Sequence, residues 1–313
     1  MTDFLAIVWN ADPVLFSLFG LQVRWYSLMF VAGFGLGWFI FQWFCKREKI
    51  NPKMLDSLLI TLIVGTIVGA RLGHCLFYQP DYYLGSWKGF LEIFMPWEGG
   101  LASHGGTIAL FFAMIWFARK YGRKNNFDFV WLLDHLAIAV GFAACFIRLG
   151  NLFNSEIYGS VTNLPWGFVF VRNEETEPHH PTQLYEALSY LLLGLTLLWL
   201  YKRDVSTSLD MTANRDQTAN CHFDQAKRVE KSHLYRGTLI GIFFIWCFGS
   251  RFLIEFIKND QVDFEAGMAL NMGQLLSIPF VLLGIGFIVY AYKKKLPLLT
   301  DGGFKEITKK TSK

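Results

Sequence analysis

The chain of 313 residues is 53% hydrophobic and 17% aromatic, with only 17% charged residues, which is too apolar for an ordinary soluble domain. Its net charge of +4 is small, and the basic residues cluster between apolar blocks instead of along one face, which argues against a nucleic-acid partner. Cys45, Cys75, Cys145, Cys221 and Cys247 are scattered singly, so no metal site, disulfide framework or cofactor is expected.

Apolar blocks near the length needed to cross roughly 30 Å of hydrocarbon follow one another along the chain. They predict spans over Trp25–Cys45, Leu58–Tyr78, Gly99–Phe117, Phe129–Ile147, Gln183–Tyr201, Gly237–Phe256 and Met272–Tyr292. The stretch before the first, MTDFLAIVWNADPVLF, has no basic run, which argues against a cleaved signal peptide. The expected fold class is all-α, a polytopic membrane protein with one seven-helix domain over 1–293 and a basic tail over 294–313. Lys and Arg set the orientation, because cytoplasmic connections hold an excess of them. Segments 46–53, 118–127, 202–236 and 293–313 hold four, four, seven and seven. The N-terminus through Arg24, 79–98, 148–180 and 257–271 hold one, one, two and one. The N-terminus is therefore expected outside and the C-terminus inside, with external segments at 79–98 and 151–180. The polar stretch 204–233 reads as a flexible cytoplasmic insertion. The aromatic segment 79–98 is either an interfacial arm beside the site or a plain anchoring loop.

A charge at the bilayer centre costs about 2.5–3.5 kcal/mol, so ionisable residues within spans are functional or paired. In this orientation Arg24 and Tyr26 open span 1, Arg71 and His74 lie late in span 2 and His104 lies early in span 3. Arg148 ends span 4; His180, Tyr185 and Glu186 start span 5; Arg251 and Glu255 end span 6; and Asn271 and Gln274 start span 7. All fall in the outer half, and only Asp134 and His135 sit in an inner half, where Asp134 is expected to bond within the bundle. Such a layout describes a site opening outward, and guanidinium groups suit the oxygens of a phosphate. A transporter or lipid-binding protein using the same arginines is the competing reading. It would need polar groups through the full depth.

Two stretches are too dense in glycine, amide and charge to face lipid: SHGGTIAL at 103–110 and RLGNLFNSEIYG at 148–159, the latter followed by LPWGFVF. The second contains R-x-G-N-x-x-N-x-E-x-x-G at Arg148, Gly150, Asn151, Asn154, Glu156 and Gly159, and here the sequence resembles the prolipoprotein diacylglyceryl transferase family. The resemblance continues through RWYSLMF at 24–30, GARL at 69–72, the H-G-G of 104–106, HPTQLYE at 180–186 and GSRFLIEFIK at 249–258. Three departures are Ile147 where the family commonly has glycine, Ser103 where an aromatic often precedes the H-G-G, and a longer 204–233 segment.

The resemblance implies an enzyme of the bacterial inner membrane. It would transfer the diacylglyceryl group of phosphatidylglycerol to the thiol of a prolipoprotein's lipobox cysteine and release glycerol phosphate. Such a thiol, with an ordinary pKa near 8.5, needs a base or a positive field, and the leaving phosphate needs cations. Arg148 and Arg251 are assigned to the phosphate. Asn151, Asn154 and Tyr26 are assigned to head-group or peptide contacts, and Glu156 and Glu255 to orienting the arginines. His104 is either the general base or a buried structural histidine between close-packed helices. His180 is either a substrate contact or a cap on the turn before Pro181. Arg71 and His74 are either functional or a local pair, and Gly105, Gly106, Gly150 and Gly159 read as close-approach positions.

Overall fold

The computed structural model describes residues 6–18, 21–95, 97, 99–213, 234–259 and 270–300, and at 21, 103 and 205–213 the backbone alone. Seven long helices stand out among the described residues: α1 Trp25–Arg47, α2 Met54–Phe77, α5 Ser103–Asn125, α6 Phe129–Phe153, α7 Thr182–Ala213, α8 Thr238–Ile254 and α9 Met272–Lys294. Short helices α3 Pro80–Gly85 and α4 Trp87–Glu92 follow α2. Six of the long helices, all but α5, are long and apolar enough to cross a membrane. α5 is less apolar because it opens on Ser103, His104, Gly105 and Gly106 and ends through Arg119, Lys120, Arg123 and Lys124.

Several boundaries differ from the sequence reading. The third block begins as loop, since Gly99 and Gly100 take positive φ of 93° and 68°, and helix starts only at Ser103. α7 continues through 204–213, where the flexible insertion was expected to begin; the rest of that insertion, 214–233, and the tail 301–313 lie outside the described residues. The all-α expectation also missed two small sheets. β1 Ile7–Trp9 pairs in parallel with β4 Phe168–Phe170, and β2 Val14–Leu18 pairs with β3 Leu21–Arg24 as a hairpin. Strands of three to five residues give too few alternations to be read by period.

The described chain divides into two compact units, 1–41 with 133–299 and 42–132 with 300–313, each taken by itself. In the first, α1 lies against α6 where small residues let backbones approach. A Cβ on Gly33 would stand 3.1 Å from Ala143 Cα, and one on Gly150 2.8 Å from the Tyr26 ring. α8 and α9 pack along their length, with Gly241 against Gly284 and Phe248 stacked on Phe280 at 4.3 Å. Above α6, Trp9 donates its indole N–H to Leu152 O at 3.0 Å and Trp25 stacks on Phe153. The start of α8 is capped by Asp134, whose two oxygens accept the N–H groups of Gly237 and Ile240 at 2.6 and 2.8 Å. His135, fully buried, meets Tyr201 edge-on. Asp134 therefore serves the bundle, as expected of it.

In the second unit, α2 and α5 share a glycine seam. A Cβ on Gly105 would stand 2.3 Å from Gly69 O and 2.6 Å from Gly73 Cα, so the H-G-G glycine is required by backbone contact. Arg71 is buried, and its guanidinium donates to the carbonyls of Glu92, Ile93 and Gly99 while covering the Tyr83 ring at 5.2 Å. It knots α2 to the segment after α4. His74 stacks on Tyr78. Further along the unit, buried Glu48 accepts from the Trp131 indole and from the N–H of Thr300, each at 2.9 Å.

Candidate functional site

Three helix ends of the first unit bring five charged side chains into a single chain of alternating sign. Arg148, one turn before the end of α6, places Nε 2.7 Å from Glu186 Oε2, and Glu186 stands on the second turn of α7. Lys258, in the segment leaving α8, donates to Glu186 Oε1 at 2.8 Å and to Glu255 Oε2 at 3.2 Å. Arg251 ends the series with Nε 4.0 Å from Glu255 Oε2. Three cations face two carboxylates, leaving one positive charge in excess. Burial is uneven along the series, since the side chains of Glu186 and Lys258 are 0% and 2% exposed, that of Arg148 15% and that of Arg251 39%. The inner members neutralise one another where charge is most costly. The two arginines are the more exposed members, one at each end of the series.

Helix geometry supports the same polarity. α9 opens with an Asn271–Gln274 capping box, and a Cβ on Gly273 in its first turn would stand 2.6 Å from Glu255. The Glu255 carboxylate thus occupies the place of a missing side chain at the positive end of a helix. Asn271 and Gln274, expected among the outward polar residues, serve this cap.

The signature stretch continues the network. Arg148 Nη1 donates to Asn151 Oδ1 at 3.3 Å, Asn151 Nδ2 donates to Glu156 Oε2 at 3.1 Å, and Asn154 Nδ2 donates to Glu156 Oε1 at 3.2 Å. Glu156 is exposed, so its carboxylate is fixed by two amides at the rim. It reaches Arg148 through Asn151. Gly159 bridges to Lys258 as an isolated antiparallel pair, and a Cβ there would stand 2.4 Å from Ile257 O. The glycine thereby lets the loop after α6 seat the Lys258 segment.

His180 and Tyr185 flank this loop. Tyr185 OH accepts the Trp166 indole N–H at 2.9 Å and lies 3.3 Å from His180 Nδ1. Burial, and then the neighbouring His179, push the His180 pKa below its ordinary value, which keeps the ring neutral near pH 7. Glu175 accepts the Tyr158 O–H at 2.6 Å. That bond first, and then the nearby His179, hold its carboxyl below the usual range.

Of the residues singled out from the sequence, Arg148, Asn151, Asn154, Glu156, Gly159, Glu255 and Arg251 come together in this network, and Tyr26 lies beside it over Gly150. His104 belongs to the second unit, at the first turn of α5, with its ring exposed. That exposure corrects the alternative of a buried structural histidine. Sequence reasoning left Glu186 and Lys258 without a role. Glu186 had a signal as a carboxylate at the start of a span, whereas Lys258 passed as one charge of an external connection.

These elements define a multi-pass helical membrane protein with a cation-rich, carboxylate-braced site at the ends of α6 and α8. The family model described as "Prolipoprotein diacylglyceryl transferase" matches residues 13–290, and the chain belongs to that family. It is 45% identical over 304 residues to the phosphatidylglycerol–prolipoprotein diacylglyceryl transferase of Porphyromonas gingivalis, covering 93% of this chain and 96% of the relative. The proteins of that name from Bacteroides fragilis and Tolumonas auensis are each 41% identical. Coverage is 93% and 92% of this chain, and 97% and 99% of those relatives.

Proposed function

We propose that this chain transfers a diacylglyceryl group from phosphatidylglycerol to a prolipoprotein. The acceptor is the thiol of the lipobox cysteine, and the product released is glycerol phosphate. The thiolate attacks the glycerol carbon bearing the phosphate; the S–C bond forms as the C–O bond breaks, and the electron pair leaves on the phosphate oxygen. The thiol proton passes to His104, which acts as general base. Arg148 and Arg251 hold the phosphate and stabilise the charge it gains on leaving. Tyr26, Asn151, Asn154 and His180 contact head group or peptide, and Glu156 and Glu255 orient the arginines.

The observation that carries this reading is the alternating series Arg148–Glu186–Lys258–Glu255–Arg251, with an arginine as the most exposed member at each of its two ends. A phosphodiester fits such ends. Engagement of Asp134 in capping α8 supports a site confined to one side, against a conduit. In this reading the chain sits in the bacterial cytoplasmic membrane with seven spans, α5 included, its N-terminus outside and its C-terminus in the cytoplasm. Segments 79–98 and 151–180 are then external, and 204–233 and 294–313 are cytoplasmic.

The test is incubation of the purified protein with phosphatidylglycerol vesicles and a thiol-bearing lipobox peptide, followed by mass analysis. The expected result is a diacylglyceryl adduct on the cysteine together with free glycerol phosphate. Neither product from folded protein overturns the reading.

A further inference from the structure

The loop Asn154–Gly159 carries Glu156, yet it belongs to no helix or strand, and its backbone is strained. Ser155 and Ile157 take φ of 55° and 58°, the left-handed region that non-glycine residues rarely adopt and that is a genuine outlier for a β-branched side chain. Such a conformation persists only where its surroundings over-determine it. Here they do so through side chains. Asn173 Nδ2 donates to Ser155 O at 2.8 Å, Gln183 Nε2 to Glu156 O at 2.6 Å and Thr182 Oγ1 to Ile157 O at 2.7 Å. Three successive carbonyls, which in a helix would be bound by backbone, are each taken by a side chain, one from the turn that ends at Asn173 and two from the start of α7.

Thr182 and Gln183 begin α7, four and three residues ahead of Glu186, and both are fully buried. Gln183 Oε1 is buried and has no hydrogen-bond partner among the described residues. The part of the side chain engaged with the loop is its donor, through the bond to Glu156 O. The same two residues thus tie the first turn of α7, one turn ahead of the Glu186 that meets Arg148, to the loop that carries Glu156 to Asn151.

We propose that Thr182 and Gln183, assisted by Asn173, are positioning residues of the transfer reaction. They hold the strained Ser155–Ile157 turn that aims the Glu156 carboxylate at Asn151 and Asn154, and through Asn151 they set the position of Arg148. The assignment rests on the transfer reading above. It gives the T-Q pair of HPTQLYE a task that is distinct from contact with substrate.

Thr182→Val keeps the shape and removes the hydroxyl, and Gln183→Leu removes the amide. In full-length protein each is expected to lower kcat on phosphatidylglycerol by about tenfold or more through misplacement of the site, with KM for the peptide little changed. Thr182→Ser, which restores a hydroxyl, is expected to recover most of the Thr182→Val loss. Glycine adopts the left-handed region without penalty. Within an Ile157→Gly background the further loss caused by Thr182→Val is therefore expected to shrink several-fold, the coupling of two groups acting on one turn. Hydrogen–deuterium exchange over 154–159 should rise in Thr182→Val and Gln183→Leu whatever the chain transfers. Folded Gln183→Leu protein with parental kcat, a Thr182→Val loss equally large with and without Ile157→Gly, or unchanged exchange over 154–159 each overturns the clamp. Absence of transfer by the parent, with exchange rising in the variants, overturns the transfer reading and leaves the clamp standing.

Discussion

Two arginines invite comparison, one in each unit. Arg71 on α2 and Arg148 on α6 are both arginines within long apolar helices, yet their partners differ in kind. Arg71 directs its guanidinium at the backbone carbonyls of Glu92, Ile93 and Gly99 and lies against Tyr83. These partners are neutral, so the charge remains as a knot between α2 and the segment after α4. Arg148 instead faces the carboxylate of Glu186, which is shared with Lys258, and the series continues to Glu255 and Arg251. A cation engaged by carbonyls fixes the chain. Cations braced by carboxylates and exposed at their ends are the arrangement to which the proposed transfer assigns its phosphate.

The largest effect that tests this contrast is on transfer. Arg148→Ala and Arg251→Ala are each expected to lower activity by about 10³-fold, the scale of losing a preorganised donor to a developing oxyanion. The Lys variants, which keep charge without the fork, should still fall sharply, and the double Ala variant should be little worse than either single one. Arg71→Ala should reverse the pattern, with a lower thermal midpoint and activity per folded molecule within a few-fold of the parent. Full transfer by folded Arg148→Ala would remove the phosphate clamp and leave both arginines structural.

His104 gives the next effect, because it lies in the unit of Arg71 yet is assigned to the chemistry. His104→Gln is expected to lose roughly 10²-fold, as general-base removal does, and to recover partly as pH rises toward the thiol pKa. A defect independent of pH would place His104 with Arg71, among the residues that only hold the fold. Below that comes Glu186→Gln, which leaves Lys258 and Arg148 facing a neutral amide. Loss of one partner from a buried ion pair costs about 3–5 kcal/mol, so the thermal midpoint should fall by more than it does in Arg71→Ala. An equal or smaller fall would show that the alternating series is not what holds α6, α7 and the Lys258 segment together.

The sequence exposed this contrast only in part. The long helices were legible from apolar length, six of them long and apolar enough to cross a membrane, and the signature spacing located Arg148, Asn151, Asn154 and Glu156 together, because those residues are local on one helix end and its loop. Arg251 and Glu255 were legible as charges inside an apolar block. Lys258 was not, since its partner Glu186 lies 72 residues away and only packing of α7 against α8 brings them together. The opposite roles of Arg71 and Arg148 were equally hidden: both read as arginines near the outer face, and the carbonyls that engage Arg71 come from a segment 21 to 28 residues on. Backbone strain at Ser155 and Ile157 has no compositional signal, because neither residue type favours positive φ.

The smallest expected effect concerns the loop beyond the carboxylate-braced cations, where pH offers a test without touching either arginine group. Glu175 accepts the Tyr158 O–H and faces His179 Nε2 at 3.0 Å. Its pKa is lowered, by that hydroxyl first. A carboxyl with a folded-state pKa below its unfolded value near 4.3 binds fewer protons when folded, so its contribution is present above that value and lost as pH falls. Tyr158 has the opposite sign: burial first, then the bond to Glu175, raises its pKa, so its contribution is present below its ordinary value near 10 and lost as pH rises. His180, whose pKa is also lowered, has the same sign as Glu175 but from its ordinary value near 6.5. Thermal midpoints of the parent should therefore hold a plateau between about pH 6.5 and pH 9, decline as the His180 ring is protonated, and fall by a few degrees more below about pH 5 and above about pH 9. Glu175→Gln should flatten most of the fall below pH 5 and Tyr158→Phe most of the alkaline one, while transfer at pH 7 falls far less than in either arginine variant. A fall below pH 5 that Glu175→Gln leaves unchanged would show that this carboxyl and its bond to Tyr158 do not carry the low-pH loss, and would remove the loop as the acid-sensitive part of the molecule.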